Sequence, residues 1–169
     1  MKKVIIQGSA RGDGNTNKVS KELQRLLNCD FIDLTQKEIG HYDYEYRNQD
    51  DDFSPLIKEI ADKYDMLIFT SPVYWYTMSG RMKVFFDRIS DTIRIDKETG
   101  RKLRGKNMAV LSCGYGSDEI EGFFLPFQHS AKYLGMNYVS DIHTWVQTEE
   151  LSEEVKERIS NFAKELKNK

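Results

Sequence analysis

The chain has 169 residues, 39% of them hydrophobic and 31% charged, with a mean hydropathy of −0.62. That suits one globular domain with a full core, and no apolar run approaches the roughly 20 residues of a membrane helix. A formal net charge of −2 excludes a global field that would recruit nucleic acid or acidic membranes. Cys29 and Cys113 show no CxxC spacing, so neither a disulfide framework nor a zinc site is indicated. Met1-Lys2-Lys3 before a short apolar run lacks a secretory h-region, and a reducing, cytoplasmic setting is expected.

In chain order, the apolar run Val4-Ile5-Ile6 is a strand, followed by the loop Gly8-Ser9-Ala10-Arg11-Gly12-Asp13-Gly14-Asn15-Thr16-Asn17. A helix then carries Val19, Leu23, Leu26 and Leu27 on one face. Cys29 to Leu34 reads as a short strand. The polar, tyrosine-rich stretch from Thr35 to Phe53 reads as irregular, with Asp43, Glu45, Asp50, Asp51 and Asp52 set against Arg47. Charge runs of this kind are solvated loops by default. Ser54-Pro55 makes a helix start, with Leu56, Ile57, Ile60 and Ala61 buried. Met66 to Thr70 is apolar without alternation, the pattern of a strand covered on both faces.

A second loop, Ser71 to Gly80, precedes a helix striped by Met82, Phe85, Phe86 and Ile89. A basic excursion follows, Arg94, Lys97, Arg101, Lys102, Arg104 and Lys106 against Asp96 and Glu98. Met108 to Ser112 is another buried strand, running into Cys113-Gly114-Tyr115-Gly116. The next helix ends near Leu134 with Gly135 as its stop, and Pro126 marks its first turn or a kink. Tyr138 to Thr144 is a fifth strand, and Ser152 caps a last helix carrying Val155, Ile159, Phe162, Ala163 and Leu166. Five strands alternating with five helices imply an α/β fold, a parallel sheet wrapped on both sides, in a single domain over residues 1–169.

In such a sheet, ligands lie beyond the carboxyl ends of the strands near the point where strand order reverses. The loops after strands one, three and four meet there. The first has the strand–glycine loop–helix form that aims N–H groups at a phosphate. Asn15 stands where a nucleotide hydrolase needs lysine, and Asn17 stands where a dinucleotide fingerprint needs its third glycine. A loop with hydroxyl and amide donors suits a single terminal phosphate such as that of flavin mononucleotide (FMN). An ordinary turn with helix-cap residues is the plainer alternative. The second loop, Ser71-Pro72-Val73-Tyr74-Trp75-Tyr76-Thr77-Met78-Ser79-Gly80, sets three aromatics in a row, for ring stacking or for a hydrophobic dimer patch. The third, Ser112 to Gly116, is small enough for backbone to approach a flat ligand closely. An anionic tail with a planar ring fits all three.

GSARGDGNTN, SPVYWYTMSGRMKVFFDR, SCGYG and LGMNYVS, in that order, resemble the flavodoxin-fold NAD(P)H-dependent oxidoreductases, the FMN reductase and quinone reductase group. The resemblance implies a three-layer, doubly wound, five-stranded sheet of order 2-1-3-4-5. It implies that Ser9, Arg11, Asn15, Thr16 and Asn17 hold the FMN phosphate. Pro72, Val73, Tyr74 and Trp75 would line the isoalloxazine, and Ser112, Cys113, Gly114 and Tyr115 would close its other edge. Lys83, Asp87 and Arg88 match the family's helix pattern as structural residues, an exposed pair or a helix–loop tie. The cysteines that many relatives carry after strand two are absent from Ile39 to Tyr46, so no iron–sulfur centre or dithiol relay is expected there. That tyrosine-rich loop would cover a partner subunit's flavin or be disordered.

The expected activity is hydride passage from NAD(P)H through FMN to a small-molecule acceptor, in a homodimer, with no catalytic side chain assigned, because the flavin carries the chemistry. His41, His129 and His143 read as structural or solvated, and Cys113 as small buried packing. The alternatives are a flavodoxin-type one-electron carrier, which a charge of −2 disfavours, a non-catalytic FMN-binding module, and a dinucleotide-binding protein using Asp33. The basic segment would meet a 2′-phosphate.

Overall fold

The computed structural model describes all 169 residues. Its parallel strands are β1 (Lys3–Gln7), β2 (Asp30–Asp33), β3 (Met66–Pro72), β4 (Asn107–Gly114) and β5 (Asn137–Trp145), side by side in the order β2-β1-β3-β4-β5. Strand order reverses at β1, which makes this the flavodoxin-like, doubly wound sheet. Ile5 sits opposite Phe31 on one side and Ile68 on the other. One register shift occurs, between Met108 and Ala109 against β5.

The helices are α1 (Asn15–Leu27), α2 (Phe53–Lys63), α3 (Gly80–Arg94), α4 (Lys97–Lys102), α5 (Leu125–Leu134) and α6 (Glu153–Lys167). Val19 and Leu23 of α1, with Val155, Ile159 and Phe162 of α6, cover Ile5, Ile68 and Leu111 on one face. Leu56 and Ile60 of α2, Phe85 of α3 and Phe127 of α5 cover Val4, Ile6, Phe69 and Val110 on the other. Successive strand residues point to opposite faces. Both faces are covered, so the central strands must be apolar at every position, and β3 is buried throughout.

The helical layer differs from the sequence reading in two places, the basic excursion and the start of α2, and agrees with it at Pro126. A sixth helix, α4, occupies part of the basic excursion. The Asp96 side chain accepts the Thr99 N–H (3.2 Å) and starts it, and Lys102 reaches Asp62 (2.9 Å). Helix α2 begins at Phe53, ahead of Ser54, because Asp51 Oδ1 accepts the Phe53 N–H (2.9 Å). Pro126 lies in the first turn of α5, which ends at Gly135 with φ of 71°.

The acidic, tyrosine-rich stretch is neither disordered nor freely solvated. Arg88 of α3, only 1% exposed, donates to the carbonyls of Gly40 (3.0 Å) and Asn48 (2.8 Å). It also pairs with Asp51 and, at 2.8 Å, with Asp91. Phe53 lies under the guanidinium, 4.9 Å from its ring centre. Arg88 is therefore a helix–loop tie, while Lys83 and Asp87 form an exposed pair one turn away. Tyr42 packs edge-on against Tyr44 and Tyr46, and Arg94 lies over Tyr44.

Candidate cofactor site

Helix α1 opens without a cap. Its preceding residue is Gly14, no side chain accepts from the first turn, and that turn holds no acidic residue. The N–H groups of Asn15, Thr16 and Asn17 have no acceptor in the chain, and the first helical bond is Lys18 N–H to Gly14 O (3.2 Å). By contrast, α3, α4 and α6 are capped by Ser79, Asp96 and Ser152. Unpartnered N–H groups at the positive end of a helix dipole form an anion site. Arg11 stands beside them and pairs with no carboxylate in the chain. Its N–H reaches Ser9 Oγ at 3.4 Å.

The loop behind β3 is locked to this first loop. Ser71 Oγ accepts the Ser79 N–H (3.0 Å). Ser79 Oγ accepts the Met82 N–H (3.0 Å) and donates to the Gly8 carbonyl. A Cβ on Gly8 would come within 2.8 Å of Met82 Cβ, so glycine there lets α3 close on the loop. The Val73 N–H reaches the Cys113 carbonyl (3.0 Å), and the Val146 N–H reaches that of Gly114 (3.2 Å). Loops from β1, β3, β4 and β5 thus share one floor.

Tyr74 and Thr77 exchange both backbone bonds, 2.9 and 3.1 Å. Between them Trp75 and Tyr76 take positive φ, 48° and 66°. This is a tight turn of the kind that favours Asn-Gly, yet it presents Trp75 at 91% and Tyr76 at 70% exposure. Left-handed backbone costs a residue with a Cβ about 1–2 kcal/mol. The double substitution Trp75→Asn, Tyr76→Gly is therefore expected to raise Tm by roughly 3–6 °C. A thermal melt of the variant checks this.

Ser9, Arg11, Asn15, Thr16, Pro72, Val73, Tyr74, Cys113, Gly114 and Tyr115 line one cleft of about 220 Å³, together with Gly14. Three residues named from the sequence do not line it. Asn17 turns its amide to Gln7 (3.4 Å), Trp75 projects past the rim, and Ser112 is buried beneath, on His143 (2.8 Å). Asn15 lines the cleft, but its side-chain amide is engaged with the Val146 carbonyl (3.1 Å). Its backbone N–H is the free donor. Asp33 accepts the Thr35 N–H (2.9 Å), and its carboxylate would meet a Cβ on Gly12 at 2.7 Å. It backs the loop and starts a short 3₁₀ turn, Leu34–Gln36.

The sequence reading passed over Ser71 and Ser79. The placement of Ser79 directly before the striped helix is a cap signal that would have found one of them. It also passed over the use made of His143, which no local pattern announces.

Burial pushes the Cys113 thiol up to about 11. Burial, with Asp30 adjacent, does the same to Cys29. Thiolate is the reactive form, so folded protein should resist iodoacetamide at pH 8, and both cysteines should label once it is unfolded. Mass spectrometry of the two samples reads this directly.

The basic segment does not reach the cleft. Lys106 immediately precedes β4, whose eight residues separate the segment from the carboxyl end by about 25 Å. Three larger cavities, about 410, 380 and 310 Å³, share no lining residue with the cleft. The first two share Ile93, Tyr133 and Leu134, and the third is lined by Leu34, Ile39, His41, Gly80, Arg81 and Val84.

No helix is long and apolar enough to cross a membrane. The Bacillus subtilis (strain 168) protein YwqN, provisionally named an NAD(P)H-dependent FMN-containing oxidoreductase, is 28% identical over 148 residues, 82% of this chain and 81% of that protein. The NADPH azoreductase of Bacillus sp. (strain OY1-2) is 28% identical over 174 residues, 99% of this chain and 91% of its own. The solved structure of the Trp repressor binding protein from Bacillus subtilis superimposes with a TM-score of 0.76 at 23% identity, over 95% of this chain and 96% of that one. The family model for NADPH-dependent FMN reductase matches residues 1–150, and with that match this chain belongs to the NADPH-dependent FMN reductase family.

Proposed function

We propose that the protein binds FMN in this cleft and passes reducing equivalents from NAD(P)H to a small acceptor such as a quinone or a flavin. The observation that carries the reading is the uncapped first turn of α1. Its N–H groups have no partner, Arg11 stands alongside, and the turn itself holds no acidic residue. A phosphate monoester satisfies all of these donors at once. At about 220 Å³ the cleft is smaller than the roughly 300–1,000 Å³ of an enclosing ligand pocket. FMN would seat its tail among Ser9, Arg11, Asn15 and Thr16 and leave its ring at the open rim beside Tyr74 and Tyr115. A ring held at the rim is open to a nicotinamide and then to an acceptor.

Bound FMN supplies the hydride chemistry, and the chain supplies the anion site, the aromatic rim and backbone donors. The one thiol in the cleft is held protonated by burial, so it offers no thiolate nucleophile. The test is anaerobic. Purified protein loaded with FMN should bleach on addition of NADH or NADPH and recover its colour when a quinone is added. Bound flavin that neither nicotinamide bleaches would overturn the reductase reading and favour an electron carrier. Protein that retains no FMN would overturn the site.

A further inference from the structure

His143 is only 2% exposed, lies near the end of β5 and is not among the residues lining the cleft, yet both ring nitrogens are engaged with the loop that closes it. Nε2 lies 2.9 Å from the Gly116 carbonyl and Nδ1 lies 2.8 Å from Ser112 Oγ. A carbonyl only accepts, so Nε2 carries the proton, and in the neutral ring Nδ1 accepts the Ser112 hydroxyl. The imidazole therefore bridges the start and the end of the segment Ser112–Gly116. A Cβ on Gly114 would meet His143 Cε1 at 2.9 Å, so the loop lies directly on the ring. The ring is held in turn, 6.3 Å from Trp145 in a stacked arrangement, with Arg158 Nε donating to the His143 carbonyl (3.2 Å).

What the clamp leaves free is as telling as what it binds. The N–H groups of Tyr115, Gly116 and Ser117 have no acceptor in the chain. With the Gly116 carbonyl drawn in to His143, the planar trans peptide turns the Ser117 N–H the opposite way. We infer that His143 is a positioning residue: it fixes the β4–α5 loop so that these unpartnered N–H groups serve the polar edge of the flavin ring. The inference rests on the FMN reading above and concerns the ring, not the phosphate.

The side-chain amide of glutamine imitates Nε2 and that of asparagine imitates Nδ1. His143→Gln keeps a donor for Gly116, while His143→Asn and His143→Ala lose it. FMN titration by fluorescence should give a Kd within about threefold of wild type for His143→Gln, and at least tenfold weaker for the other two. The visible flavin bands should shift in those two at saturating FMN. Melts of the FMN-free proteins separate this from general weakening. A variant that melts lower but binds FMN with wild-type affinity and spectrum overturns the inference while leaving the functional reading intact. Wild-type protein that takes up no FMN overturns that reading and this inference together.

Discussion

Arg88→Met is expected to lower folding stability by about 3–5 kcal/mol, the range for removing one partner of a buried ion pair. The guanidinium is nearly out of solvent, and Asp51 and Asp91 retain only 15% and 12% of their side-chain exposure. Methionine fills most of the volume but leaves both carboxylates, and the carbonyls of Gly40 and Asn48, without their donor. Arg88→Lys should recover only part of the loss, because an ammonium cannot reproduce the planar fork that reaches several acceptors at once. Urea unfolding measures the loss, and limited proteolysis should show residues 40–52 cut first in the variant. Wild-type resistance in both assays would remove Arg88 as the keystone of that loop.

The same cluster sets a pH dependence. Burial alone would raise the Asp51 carboxyl, but the Arg88 guanidinium and the N–H groups of Gly40 and Phe53 hold it below its ordinary value of 3.8. A depressed carboxylate contributes stability that is present above its unfolded pKa and is lost as pH falls through the folded one. The tether is thus intact at neutral pH and gives way only below about pH 4. In Arg88→Met this depression is weakened, since Asp51 keeps the Gly40 and Phe53 N–H bonds but loses its counter-charge against burial. The gap between wild type and variant should therefore narrow as pH drops. Melts at pH 7 and pH 3.5 test this.

Asn15→Pro is expected to weaken FMN binding by roughly 10–100-fold while leaving the fold in place. Proline at the first helical position removes an N–H that has no helical partner. It also demands an extended residue before it, and Gly14 already has φ −80° and ψ −170°. The lost amide bond to Val146 costs about 1 kcal/mol, largely offset by the stiffer unfolded chain. The charge-assisted bond to phosphate is worth about 1.5–3 kcal/mol. Riboflavin, which lacks the phosphate, should bind wild type and variant alike. FMN affinity unchanged in Asn15→Pro would mean that the first turn of α1 does not hold the anion.

The parts of this architecture that local chemistry dictates are plain in the sequence. Apolar runs such as Met66–Thr70 announce strands covered on both faces, and the glycine loop before Val19 announces a helix N-terminus that needs an anion. Whether the donors there are free is a different question. Asn15 and Asn17 read as phosphate ligands by residue type, and the fold directs their amides to Val146 and Gln7 instead. Helix α4 is hidden because its start depends on one aspartate capping a single turn within a charge run. The order of residues 40–52 is hidden because its cause, Arg88, lies 37 residues beyond Asp51. His143 is hidden for the same reason, 31 residues from Ser112.

The Ser71–Ser79–Gly8 knot has a consequence for how tightly any ligand is gripped. It joins the anion-binding turn to the aromatic rim through the start of α3, so both halves of the cleft are set when the chain folds. The entropy of arranging them is lost in folding rather than at association. A bound tail and a bound ring then share a single loss of translational freedom, as two linked modules do. FMN should accordingly bind far more tightly than either phosphate or riboflavin alone. Cutting the knot with Ser79→Ala should erode that advantage without touching either contact.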